Sequence, residues 1–468
     1  MTDDTKPAAG IVVVGLGPGD PDLRTVGAQR RLAAAERIVL RTARHPGLND
    51  LNGDGRVVSC DDLYEAGDTF EEVYEAIARR VCDVAVEATG LVVYAVPGHP
   101  RFGERTVELL RQEADRRHLT LTVEAAVSAF DAIATAIDAD LMADQVQVLD
   151  AAALLGVLDE EPFAGGLVGL DPSRSALVCQ VYAQHVASAV KLTLGRLYPD
   201  DHPIVIVRAA GVQDGEMLEP CRLFELDRRR VDHLTSVWIP ALPPMEATRS
   251  PFTLQRIVAR LRAPGGCPWD RTQTHATLRD AIIEEAYETV DAIDAGDSAH
   301  LAEELGDLLL IVAMHAQIAE EAGDFALEDI YDHVSRKLVR RHPHVFGDAR
   351  ADTPDEVVTT WNAVKAAERA AAGPAGASPE SSPLAKLPRS MPALHMARVL
   401  FGARKGDASV AGNPGRVTAI GDALLATARQ AAEAGIDPEH ALRLALRRSV
   451  EANELAAAER SPKGSVEA

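Results

Sequence analysis

From Ile11 to about Pro244, short β-branched apolar runs alternate with Ala-, Leu- and Arg-rich stretches. Ile11–Val14, Arg37–Leu40, Leu91–Val96 and Pro203–Val207 are nearly continuous apolar runs, which predict strands buried on both faces. Alternation of strand and helix predicts an α/β layer fold that takes ligands at its strand ends. The proline-rich run Pro240–Pro244 predicts a domain boundary. After Thr253 the strands vanish and apolar positions recur at the 3.6-residue helical period. Ala370–Pro383 is rich in Ala, Gly, Ser and Pro and predicts a flexible loop. The last eight residues read as a disordered tail.

The helical half repeats itself. Gly306-Asp307-Leu308-Leu309 recurs as Gly421-Asp422-Ala423-Leu424-Leu425, an offset of 115 residues. Each copy continues into an Ala-rich amphipathic helix, a glycine break at Gly323 or Gly435, and a basic helix. Repeated helical hairpins suit a four-helix bundle built as a pseudo-dimer.

Length and charge narrow the picture. A chain of 468 residues predicts two or three domains. A formal net charge of −23 argues against nucleic-acid binding through a general basic surface. Small anionic substrates then require a local cationic pocket or a bound metal. Cys60, Cys82, Cys179, Cys221 and Cys267 are scattered, odd in number and without a CxxC pair, which argues against a disulfide framework or structural zinc. The acidic first ten residues do not resemble a signal peptide, and no apolar run approaches a membrane span. A cytoplasmic protein without membrane contact is the expectation.

Chemistry concentrates in two acidic pairs. Leu278, Ile282, Ala286, Val290 and Ile293 form one face of a predicted helix, with Glu285 beside it and Glu288 near one turn on. In the next predicted helix, about 301–322, Glu304 falls inside the apolar rows of Leu301, Leu305, Leu308, Ile311 and Val312, and Asp307 lies at their edge. A core-facing carboxylate must shift its pKa or find a positive partner. No Lys or Arg occurs between Asp280 and Gln317. Two i,i+3 acidic pairs on adjoining helices offer converging hard oxygen ligands, which suit Mg²⁺ or Mn²⁺. Solvated helix charges are the ordinary reading of any single pair; two pairs, one inside an apolar stripe, favour metal.

These residues resemble a family. Glu284-Glu285-Ala286-Tyr287-Glu288, fifteen intervening residues, then Glu304-Leu305-Gly306-Asp307 is similar to the EExxE…ExxD signature of MazG nucleotide pyrophosphohydrolases. Gly266-Cys267-Pro268-Trp269-Asp270, Arg340-Arg341-His342-Pro343-His344-Val345-Phe346 and Trp361…Lys365 extend the resemblance over roughly 250–400. It implies Mg²⁺ on Glu285, Glu288, Glu304 and Asp307, with Lys337, Arg340 or Arg341, Trp361 and Lys365 around the triphosphate and base. Independently, Lys337, Arg340 and Arg341 share one helical face able to grip phosphates. Trp269 and Trp361 are candidates to stack on a base. The implied reaction is attack of water, oriented by Glu284 or Glu285, on the α-phosphorus of a nucleoside triphosphate, releasing pyrophosphate. The second repeat has Ala419 where the first has Glu304, and Arg448-x-x-Glu451-Ala452 where the first has Lys337-x-x-Arg340-Arg341. It resembles a degenerate second MazG module, entered through the linker-like Leu387–Leu394.

In the N-terminal half, Ile11–Val14 leads into Gly15-Leu16-Gly17-Pro18-Gly19-Asp20-Pro21, and Leu91–Val96 leads into Pro97-Gly98-His99-Pro100. Closely spaced glycines after a strand let a ligand approach the backbone, but the spacing is not GxGxxG. With Arg41-Thr42…His45-Pro46, Val127-Ser128-Ala129-Phe130 and Thr235–Pro240, these runs resemble the tetrapyrrole methylase family over about 10–245. That resemblance implies two α/β subdomains with S-adenosylmethionine between them, near Gly15, Gly17, Pro18, Gly19, Pro97, Gly98 and His99. The family's GGDP is Pro97-Gly98-His99-Pro100 here, so its aspartate is missing. The domain order resembles bacterial YabN-type fusions.

The expected architecture is therefore an α/β tetrapyrrole methylase-like domain at 1–244 and an all-α, MazG-like helical bundle with an internal repeat. The latter divides into a catalytic module at 250–370, a loop at 371–386, a degenerate module at 387–460 and a tail at 461–468. The expected activity is Mg²⁺-dependent NTP hydrolysis to monophosphate and pyrophosphate, in a homodimer. S-adenosylmethionine-dependent methyl transfer by the N-terminal domain is the alternative, and a non-catalytic nucleotide-binding regulator the third reading.

Overall fold

The computed structural model describes residues 10–48, 50–51, 53–67, 69–160, 169–371, 387–388, 391–401 and 414–460. It forms two compact units, Met1–Leu327 and Glu328–Ala468. The first begins with β1 (Gly10–Gly15), α1 (Val26–Ala34), β2 (Arg37–Leu40), β3 (Val57–Ser59), α2 (Asp61–Ala66), α3 (Phe70–Glu87), β4 (Val92–Val96), α4 (Arg105–Arg116) and β5 (Thr120–Val123). The five strands make a parallel sheet in the order β3-β2-β4-β1-β5.

The apolar runs have a simple cause. Ile11 and Val13 pack with α3 and α4 on one face, whereas Val12 and Val14 pack with Ala28 and Leu32 of α1 on the other. Both faces are covered, so neither parity of the strand can be polar. A reciprocal cap between Thr69 and Glu72 starts α3.

A second sheet follows, built with α5 (Ala129–Ala136), β6 (Gln147–Asp150), α6 (Ala151–Glu160), β7 (Ala176–Cys179), α7 (Gln184–Leu194), β8 (Pro203–Arg208), β9 (Met217–Arg222) and β10 (Thr235–Ile239). Its order is β6-β7-β10-β8-β9, with β6 and β7 parallel and the other pairs antiparallel. The four sequence-predicted strands correspond to β1, β2, β4 and β8. Strands such as β5 and β6 are edge strands whose alternate residues are exposed, so their apolar runs are broken.

Helices take over at α8 (Pro251–Arg262), then α9 (Pro268–Arg271), α10 (Arg279–Ala295) and α11 (Ser298–Ala322). Arg256 of α8 pairs with Asp171 at 2.8 Å and donates to Ser173, tying the helical hairpin to the second sheet's loops within the same unit. Val258, Leu278, Ile311, Ala313 and Met314 form the hairpin's core. The turn between α10 and α11 is made by Asp297, whose side chain accepts from the N–H groups of Ala299 and His300.

The expected apolar stripe of α10 is buried only in part. Leu278 is buried, yet Ile282, Val290 and Ile293 are exposed, as is Leu305 on α11. Two helices bury one face each against one another, and this surface lies outside that seam.

The second unit takes in most of α12 (Leu327–Arg341), then α13 (Pro343–Phe346), α14 (Pro354–Ala371), α15 (Ala393–Phe401), α16 (Pro414–Glu433) and α17 (Pro438–Arg460). Ala393, Met396 and Leu446 form its small core. Most of the expected loop at 371–386, and the tail at 461–468, lie outside the described residues. Among the described residues no helix is long and apolar enough to cross a membrane.

Candidate metal centre and the flanking loops

Helix α10 carries Glu284, Glu285 and Glu288, and antiparallel α11 carries Glu304 and Asp307. The i,i+3 spacing places each pair on one helix face, and the Gly296–Asp297 turn sets the faces together. One oxygen each from Glu285, Glu288 and Glu304 lies within 4.8 Å of the others. Glu304 is only 7% exposed, Glu285 is intermediate, and Glu284, Glu288 and Asp307 are exposed.

The electrostatics are those of crowded anions. Burial, followed by the charges of Asp307, Glu288, Glu304 and Glu284, pushes the Glu285 carboxyl above its usual range. Asp307 thus acts on the cluster although it is not one of the three sharing that 4.8 Å span. Glu304 Oε1 pairs with His300 Nε2 at 2.8 Å, one turn back on α11. Its Oε2 is buried and has no hydrogen-bond partner among the described residues. A buried, unpaired carboxylate oxygen is costly, and a cation is its natural complement. The donor set, all carboxylate oxygens, fits Mg²⁺ or Mn²⁺.

His300 is the residue that sequence reasoning missed. No Lys or Arg near Glu304 in the sequence offers a partner, but a histidine four residues back on the same helix does.

The residues assigned to phosphate and base divide. Trp269 on α9 belongs to the first unit and is 65% exposed, so it is not a core tryptophan. Lys337, Arg340, Arg341, Trp361 and Lys365 belong to the second unit. There Arg340 and Arg341 both pair with Glu368, and the Arg341 guanidinium lies 5.1 Å from the Trp361 ring centre. Lys337 is exposed and Lys365 intermediate.

In the N-terminal domain, the loops after β1 and β4 meet. Gly17 and Gly98 exchange backbone hydrogen bonds at 3.3 and 2.8 Å, and His45 Nε2 lies 3.0 Å from Gly17 O. A Cβ on Gly15 would come 2.2 Å from Gly98 O, so this approach requires glycine. The N–H groups of Leu16 and Asp20 are also spent, on Val96 O and Gly211 O. Pro18 and Gly19 complete the first loop and Pro97 opens the second. His99 accepts the Arg101 N–H and packs on Phe102, with ring centres 5.1 Å apart.

The likenesses of the chain follow this division. A family model described as the MazG nucleotide pyrophosphohydrolase domain matches residues 273–346. One described as tetrapyrrole (corrin/porphyrin) methylases matches residues 10–227. The YabN protein of Bacillus subtilis (strain 168) is 41% identical over 396 residues, covering 84% of this chain and 76% of that protein. The nucleoside triphosphate pyrophosphohydrolase/pyrophosphatase MazG of Thermotoga maritima is 44% identical over 145 residues, 31% of this chain and 52% of its own. The nucleoside triphosphate pyrophosphohydrolase of Escherichia coli (strain K12) is 46% identical over 146 residues, 31% of this chain and 53% of its own. The chain thus spans about half the length of these two relatives. A solved structure of uroporphyrin-III C-methyltransferase from Thermus thermophilus covers 52% of this chain and 99% of its own, at 20% identity and a TM-score of 0.37. Sequence match, fold and carboxylate geometry converge: the chain belongs to the YabN family, with a tetrapyrrole methylase domain followed by a MazG nucleotide pyrophosphohydrolase domain.

Proposed function

We propose that the MazG domain hydrolyses nucleoside triphosphates to monophosphate and pyrophosphate, with Mg²⁺ held by Glu285, Glu288, Glu304 and Asp307. The buried, unpartnered Oε2 of Glu304, set among carboxylates at the α10–α11 seam, is the observation that carries this reading. A bound divalent cation would supply charge neutralisation for the phosphates and relieve the carboxylate repulsion that, after burial, lifts the Glu285 pKa. Glu284 or Glu285 is the candidate to orient a water toward the α-phosphorus. Lys337, Arg340, Arg341 and Lys365 are the candidates to grip phosphates, and Trp269 and Trp361 to stack on the base. Incubation with a panel of NTPs and dNTPs plus Mg²⁺, resolving pyrophosphate from orthophosphate, tests the proposal. Pyrophosphate with the monophosphate is expected; orthophosphate as the first product, or no turnover, sinks it.

The exposed apolar residues of α10 and α11 support a homodimer. Tyr287, Val290, Ile293, Leu305 and Leu309 are each about half exposed, which suits burial against a second copy.

The tetrapyrrole methylase match favours a second reading, S-adenosylmethionine-dependent methyl transfer. The N–H groups of Leu16, Gly17, Asp20 and Gly98 in these loops are spent on backbone carbonyls, and the aspartate of GGDP is absent. Calorimetry with S-adenosylmethionine decides: heat of binding revives the reading, and none at millimolar ligand removes it.

A further inference from the structure

Helices α12 and α14 of the second unit are joined by one carboxylate. Arg340 Nε donates to Glu368 Oε1 at 2.5 Å. Arg341 grips the same group with two atoms, Nη2 to Oε2 at 2.6 Å and Nε to Oε1 at 3.3 Å. The Glu368 side chain is 21% exposed, that of Arg341 17% and that of Arg340 54%. Below Arg341 lies the Trp361 ring, which in turn meets His342 at a 70° angle with ring centres 5.0 Å apart. The hydrogen bonds from Arg341 and then Arg340 hold the Glu368 carboxyl down to about 2, so it is an anion at any working pH.

Donor counting shows what this arrangement leaves free. A guanidinium carries about five N–H donors. Glu368 takes only the Nε–H of Arg340, so both terminal nitrogens of that residue remain unspent on it. From Arg341 it takes Nε–H and one Nη2–H, leaving Nη1. The carboxylate therefore holds both guanidinium groups and leaves terminal N–H donors on each. Two arginine side chains that start four and three positions after Lys337 would otherwise sample many rotamers and lose that freedom on binding.

We propose that Glu368 is a positioning residue: it fixes the Arg340 and Arg341 guanidinium groups, over the Trp361 floor, so that their terminal N–H groups receive a polyphosphate. The proposal rests on the reading of these arginines as the phosphate grip. It makes a counter-intuitive prediction of sign. Removing an anion from a cationic site strengthens polyphosphate binding if the anion merely masks the site. Removing it weakens binding if the anion holds the donors in place.

The test is calorimetric titration of the full chain with inorganic tripolyphosphate in metal-free buffer, for the wild type, Glu368→Ala, Glu368→Gln and Glu368→Asp. Metal-free buffer removes the carboxylate centre from the measurement. Dissociation constants about tenfold higher in Glu368→Ala and Glu368→Gln are expected, with Glu368→Asp in between. Glu368→Gln keeps the side-chain shape, so it reads the effect if Glu368→Ala fails to fold. Unchanged or tighter binding in the variants overturns the proposal, as does a wild type that binds no tripolyphosphate. A wild type that binds as expected but turns over no NTP refutes the proposed activity and leaves this inference standing. In steady-state NTP hydrolysis the same variants should raise KM about tenfold with little change in kcat.

Discussion

At the residue scale the proposed metal centre turns on Glu304. It sits in an apolar row, pairs one oxygen with His300 and leaves the other buried and unmatched. Glu304→Gln keeps the shape and removes the charge. Turnover should fall well beyond the roughly 10–100-fold that losing a residue merely supporting a metal ligand costs. The variant should also lose the rise in melting temperature that Mg²⁺ gives the wild type; activity retained with pyrophosphate as product would remove Glu304 from the site. His300→Ala should weaken apparent Mg²⁺ affinity about tenfold, read by titrating activity against Mg²⁺.

Glu285 gives a pH signature. Its folded pKa is raised, so the folded state holds that proton more tightly than the unfolded chain does. Its contribution to metal-free stability is fully present below the ordinary carboxylate value of about 4.3 and is lost as pH rises through the raised value. Mg²⁺ must displace the same proton. The Mg²⁺-induced gain in melting temperature should therefore be largest near neutral pH and fade as pH falls toward that range. A gain independent of pH between 4 and 7.5 would contradict the assignment.

At the element scale the two sequence-repeat segments share a glycine break and differ in their chemistry. Gly323 ends α11 at φ 77° and Gly435 follows α16 at φ 69°, both left-handed. A Cβ at either would meet nothing within 4 Å, so the cost of Gly→Ala is backbone strain alone, about 1–2 kcal/mol. Each substitution should lower the melting temperature by about 2–8 °C. No loss at either position would mean that the turn is not held. Copy two keeps Asp422 on α16 but has Ala419 in place of the glutamate, so its helices retain the fold signal and not the ligand set. The first hairpin is also divided between the compact units, since α12 passes into the second within one residue of its start.

At the scale of the whole molecule, the exposed apolar residues of α10 and α11 predict self-association through the first unit. A stable interface needs about 1,200–2,000 Å² of total buried surface. Sedimentation should show a dimer for the wild type, and Ile293→Asp with Leu309→Asp should shift it to monomer. A monomeric wild type would sink the proposal. The acidic bulk, −23 overall, means that a small anionic substrate would require local cations or a bound metal.

Much of this was legible in the chain. Strands covered on both faces declare themselves because each of their residues must be apolar, hence β1, β2, β4 and β8. The edge strands β5 and β6 did not, because half their side chains meet solvent and carry no code of their own. The spacing of Glu285, Glu288, Glu304 and Asp307 determined which carboxylates share a helix face, since i,i+3 is local geometry. Only the tertiary structure decided which of them crowd together, that Glu304 alone is buried, and that Glu368 braces both Arg340 and Arg341. Those facts depend on how one helix packs against another, and the energy of a charge depends on that packing far more than on its place in the sequence.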